Sequence, residues 1–220
     1  MAQGYVRAAD LPQVFPVFPL GGAILLPRGQ LPLNIFEPRY LNMIDDAMAG
    51  DRIIGMVQPG GGAARAPALS AIGCAGRLTS FAETSDGRYL VTLTGLCRFK
   101  LAGELPVQTP YRQIRADFSA FEADLTTVDP EAAARHDRGP LLEALKRWLE
   151  RREMDVDWDA ARQAPPEALV NSLSMALPFE PAEKQALLEA PTVVDRLQAL
   201  TAILSIDAVD PDDDGQTTLQ

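Results

Sequence analysis

Residues 15–40, FPVFPLGGAILLPRGQLPLNIFEPRY, constrain the fold more than any other stretch of this chain. They hold two short apolar runs and a Pro/Gly break at 27–29. A third run follows, in which Leu31, Leu33 and Ile35 alternate with Pro32, Asn34 and Phe36, and then Glu37-Pro38-Arg39-Tyr40. Short apolar runs bounded by Pro and Gly read as strands, expected at 14–20, 23–26 and 31–36. Pro32 has no N–H to give a ladder, so the third strand belongs at a sheet edge or is interrupted. Pro38 suits the first turn of a helix, where its missing N–H costs nothing. Tyr40, Leu41, Ile44, Ala47 and Met48 recur at helical spacing, and Gly50 is a terminator.

Further strands are expected at 52–57 and 111–118, with a hairpin over 71–101. Asp86-Gly87 reads there as a two-residue type I′ loop. That loop sets Gly76 opposite Cys97 and Gly95 opposite Leu78, with Cys74 and Cys97 diagonal on one inward face. Diagonal positions lie about 7–8 Å apart, too far for a comfortable disulfide, so both cysteines are expected as buried thiols.

After about residue 124 the period changes. Pro140 starts a helix with Leu141, Leu142, Leu145, Trp148 and Leu149 on one side, and Glu143–Arg147 and Lys146–Glu150 as i,i+4 pairs on the other. Helices follow near Trp158, over 166–177 and from Pro181. A last one has Thr192 as N-cap and Asp195 three residues on. The expected class is α+β: a β-rich domain at 1–124, a helical bundle at 125–206 and an acidic, disordered tail at 207–220.

Composition narrows the partners. The 220 residues carry a net charge of −10 and only three lysines, a poor match for nucleic acid or anionic lipid. No apolar run approaches a membrane span and the N-terminus lacks the apolar core of a secretory signal, so a cytoplasmic location without membrane or nucleic-acid partners is expected.

No cofactor, metal or catalytic group is expected. One histidine, His136, and two separated cysteines fall short of a zinc ligand set. No GxSxG is present, and nothing marks a serine–lysine pair. Gly60-Gly61-Gly62 is followed by Ala63, Ala64 and Arg65, without the lysine and hydroxyl that a phosphate loop requires. Glu37 is expected to cap the helix at Pro38, and Arg39 to reach a carboxylate or carbonyl. Phe36 and Arg39 are also the candidate peptide-binding residues; an apolar groove is expected in the β-rich domain or at its junction with the bundle, and in the second case it would lie near them.

VFPL at 17–20 followed by LPLNIFEPRY at 31–40 resembles the start of the N-terminal, substrate-recognising domain of the ATP-dependent Lon proteases. The likeness continues in the hairpin, at Gly73, Gly76, Leu78, the Asp86-Gly87 turn, Gly95, Arg98 and Phe99. It continues again in EKQALLEAPTVVDRLQAL at 183–200. This resemblance implies a twisted, partly closed β-barrel-like (PUA-like) domain followed by a small helical bundle. It also implies a module that binds a polypeptide or protein partner, as an adaptor or regulator of proteolysis. ATPase and peptidase residues are absent from the sequence, so the chain resembles a standalone, non-catalytic bacterial member of the family. Two alternatives compete: a small-molecule enzyme with an unrecognised pocket, and an RNA-binding PUA-like protein using Arg77, Arg88, Arg98, Lys100, Arg112 and Arg115. The net charge favours an ordinary solvated face over the latter.

Overall fold

The computed structural model describes residues 5–60, 67–126 and 137–206. The chain forms two compact units, one of residues 1–127 and 175–189, the other of 128–174 and 190–220.

Six strands build the first unit: β1 (Val14–Pro19), β2 (Gln30–Ile35), β3 (Ile53–Val57), β4 (Ile72–Glu83), β5 (Tyr89–Glu104) and β6 (Gln113–Asp117). Their order is β2-β5-β4-β3-β1-β6, and β6 pairs with β5 as well. That extra pairing closes β5, β4, β3, β1 and β6 into a ring, with β2 left outside on β5. The sixteen residues of β5 make this possible: 89–94 pair with β2 and 100–104 with β6. The expected α+β class and barrel-like first domain are therefore present, as a ring of strands rather than a clean barrel. Its interior holds Phe15, Val17, Ala75, Cys97, Phe99, Ile114 and Phe118. Phe15 and Phe99 meet edge to face, with centroids 5.4 Å apart, a geometry that aromatic quadrupoles favour.

The helix after β2, α1 (Pro38–Ala49), begins at the expected proline and stops at Gly50. Pro32 does sit on an edge strand, opposite Thr92. Residues 23–26, expected as a strand, are not one. Ile24, Leu25 and Leu26 are buried, but outside any ladder, Leu25 lying instead against Gly76 and Leu26 against Gly95. Those glycines pair directly across β4 and β5, and a Cβ on Gly95 would collide with the backbone of Leu26. An apolar run reports burial, and here a strap satisfies it as well as a strand.

The hairpin register also differs from expectation. Thr84 N–H bonds Arg88 O at 2.9 Å, closing a three-residue loop in which Gly87 takes a φ of +78°. Glu83 then pairs with Tyr89, one residue away from the two-residue-loop register, and bulges at Leu96 and Thr79 shift the pairing twice more. Gly76 comes to face Gly95, not Cys97. Cys74 pairs with Arg98 and Cys97 with Ala75. Adjacent pairs point to opposite faces, so the two thiols do not share one. Both are free and buried.

The remaining helices are α2 (Gly139–Arg151), α3 (Trp158–Gln163), α4 (Pro166–Ala176), α5 (Pro181–Glu189) and α6 (Val193–Ile206). In the second unit α2 packs on α6, burying Leu141, Ala144, Leu145, Trp148 and Leu149. Arg196 on α6 donates to Asn171 Oδ1 at 2.9 Å.

One helix stands apart from the expected 125–206 bundle. Residues 175–189, with α5, belong to the first unit. Polar side chains hold it there: Gln58 Nε2 donates to Pro181 O at 2.8 Å, Gln185 Nε2 to Ile72 O at 3.1 Å, and Arg98 Nη1 to Leu188 O at 3.2 Å. His136, Gly61, Gly62 and the 207–220 tail lie outside the described residues.

Candidate functional site

β2 lies outside the ring and pairs on one side only, with β5, so its other edge is open. Leu31, Leu33 and Ile35 turn inward, while Gln30, Pro32 and Asn34 are exposed. Gly95 N–H bonds Gly29 O at 2.9 Å. In an antiparallel ladder that bond makes Gln30–Thr94 a non-hydrogen-bonded pair. The backbone groups of Gln30, Pro32 and Asn34 therefore point away from β5, to the free side, which is where a proline without N–H fits.

Beside this edge lies a groove of about 320 Å³. One wall is β2 from Pro32 to Ile35, running on through Phe36 and Glu37; the other is Phe18, Pro19 and Leu20 at the end of β1. Tyr40, on the first turn of α1, closes the floor against Phe18, with ring centroids 4.3 Å apart. Burial is the main reason the Tyr40 hydroxyl is held above its ordinary pKa. Most of the lining residues are apolar, with Asn34, Glu37 and Arg39 as the polar ones.

Phe36 and Arg39 both line this groove. Phe36 is 62% exposed, the guanidinium carbon of Arg88 standing 5.8 Å from its ring centre. Arg39 donates through Nε (3.0 Å) and Nη2 (2.7 Å) to Glu37 and lies 4.5 Å over the Tyr40 ring. Glu37 makes no side-chain cap to α1, contrary to the capping role expected of it; Pro38 removes one N–H there and Arg39 occupies the carboxylate. The residues that line the groove all belong to the first unit. What the sequence did not reveal was the opposite wall. Only the meeting of β1 with α1 brings Phe18 and Leu20 beside Phe36.

Among the described residues, no three His, Cys, Asp or Glu side chains stand where they could share a metal. No described helix is long and apolar enough to cross a membrane.

The model of the ATP-dependent protease La (LON) substrate-binding domain matches residues 14–205. The chain belongs to the Lon substrate-binding domain family. Lon protease 2 of Myxococcus xanthus is 29% identical over 132 residues, 59% of this chain and 16% of that protein. A Lon protease of Heliobacterium modesticaldum is 26% identical over 213 residues, 88% of this chain and 24% of that one. The chain thus spans a quarter or less of these relatives. Its fold resembles the N-terminal domain of a Mycobacterium avium complex Lon protease (TM-score 0.61, 18% identity, 87% of this chain and 98% of that one). It also resembles a Lon N-terminal domain protein from Xanthomonas campestris (TM-score 0.57, 24% identity, 86% and 97%).

Several family motif residues of this Lon substrate-binding domain have packing roles. Gly76 and Gly95 receive the strap, Phe99 fills the ring, and Lys184 and Gln185 anchor α5, Lys184 Nζ donating to Met175 O at 2.6 Å. Burial lowers the Lys184 pKa.

Proposed function

We propose that this chain is a polypeptide-binding module that takes extended, apolar segments of unfolded protein in the β2 groove, serving as an adaptor or regulator of proteolysis. The single observation that carries the reading is Phe36. A large aromatic ring stands mostly in water at the mouth of an apolar groove, where a partner's side chain gains more by burial than anywhere else along β2. The substrate-binding description of the matched family supports the same reading. Phe36 is its anchor, Phe18 and Tyr40 its floor, and Arg39 and Glu37 its polar rim.

Titrating a fluorescein-labelled, permanently unfolded polypeptide with the protein, followed by anisotropy, tests this. Saturable binding is expected, weakened at least about tenfold by Phe36→Ser, the loss typical of an aromatic anchor. Phe81→Ser is the control, since Phe81 is also exposed but lies outside the groove. Absence of binding by the wild type, or equal effects of the two substitutions, would overturn the assignment.

A further inference from the structure

The first unit ends at residue 127 and again at residue 189, so the chain leaves it twice toward the second. One side chain holds both departures. Arg98, on β5 and 4% exposed, gives Nε and Nη2 to the two carboxylate oxygens of Asp124, each at 2.9 Å. Its Nη1 donates to the carbonyl oxygen of Leu188 at 3.2 Å. Asp124, 8% exposed, also accepts the backbone N–H of Arg98 at 3.0 Å. The guanidinium carbon lies 4.7 Å over the Phe121 ring, in the 3₁₀ segment Ser119–Leu125 that contains Asp124. Asp124 stands three residues before the first departure and Leu188 one residue before the second.

We infer that Arg98 is a latch that makes Ser119–Leu125 and the end of α5 open together, as one cooperative event. A guanidinium is a rigid fork whose donors cannot be re-aimed one at a time. If either segment peels away, a buried cation is left short of acceptors, which is costly. Arg98 then follows the first segment toward water and abandons the second. Two stretches more than sixty residues apart in sequence thus share one opening equilibrium, a local unfolding unit within the first unit. The ring itself does not depend on the latch, because its strands hold one another through backbone ladders.

Hydrogen exchange with mass spectrometry on the full chain tests this, and does so independently of any polypeptide binding. In the wild type, peptides covering 119–126 and 184–190 should show the same dependence on denaturant. Arg98→Met should speed exchange in both by similar factors, at least about tenfold, and leave 89–94 of β5 unchanged. The double variant Arg98→Met/Asp124→Leu removes the orphaned carboxylate; it should stay folded while the two segments cease to track each other. Acceleration of one segment without the other in Arg98→Met overturns the latch. So does equal acceleration of β5 in either variant, or persistent coupling in the double variant.

Discussion

Gly76 and Gly95 face each other across β4 and β5, with the Leu26 backbone against Gly95 and the Leu25 side chain against Gly76. A Cβ at Gly95 would run into the carbonyl of Leu26, whereas one at Gly76 would meet mainly the Cδ2 methyl of Leu25. A side-chain end can move aside; a buried backbone cannot without dragging the strap. Gly95→Ala should therefore cost about 1–3 kcal/mol or more, and Gly76→Ala less. Urea unfolding of the two variants ranks them, and the reverse order would mean that the strap yields more readily than Leu25.

Cys97 responds to alkali. Burial, with a smaller push from the Asp124 carboxylate, raises its pKa from an ordinary 9.0 to about 12. The folded state keeps the thiol neutral while the unfolded chain ionises it. The stabilisation is whole below pH 9 and is lost as pH rises toward about 12, at no more than about 1.4 kcal/mol per pH unit. Cys97→Ala should lose stability less steeply than the wild type across that window, as read from urea midpoints at successive pH values. Parallel pH curves would show that the thiol is not held neutral.

Thr192 and Asp195 cap α6 reciprocally. Thr192 Oγ1 accepts the Asp195 N–H at 3.1 Å, and Asp195 Oδ2 accepts the Thr192 N–H at 3.1 Å. Thr192→Ala should cost about 1 kcal/mol. Adding Asp195→Ala should cost less than the sum of the single changes, because the two residues share one interaction. Thermal melts of the three variants measure the shortfall, and strict additivity would argue against the reciprocal box.

Phe36→Ser and Arg39→Ala should each leave folding stability within about 0.5 kcal/mol. Phe36 is mostly in water, and the Arg39–Glu37 pair is exposed enough for solvent to offset most of its attraction. A cooperative thermal melt at the wild-type temperature, combined with weaker polypeptide binding by Phe36→Ser, separates a binding role from a packing role. A large drop in melting temperature would return Phe36 to the fold.

Local chemistry made several elements legible in the sequence. Pro38 and Gly50 bound α1 because a missing N–H and a permissive backbone act where they stand, and Thr192 with Asp195 announces α6 for the same reason. Pro32 marked an edge strand. The strap at 23–26 was not legible, since burial against two glycines and burial within a ladder call for the same apolar residues. Nor was the register of the hairpin. Gly87 supplies a positive φ to a two-residue or a three-residue loop alike, and the extra residue shifts every pair beyond it. The placement of α5 depends on Gln58 and Arg98, polar residues far away in sequence. For the groove, Phe36 and Arg39 could be picked out at a strand-to-helix junction, while its far wall required β1 and α1 to be brought together.

Pro32 gives the open strand a further property. A second copy pressed edge to edge along β2 would find carbonyls from Gln30, Pro32 and Asn34 but no donor at the middle rung, and a pyrrolidine ring in its place. Stacking of strand on strand, the step by which exposed sheet margins grow into fibres, falters there. The same margin that stands open beside Phe36 thus carries its own stop against polymerisation.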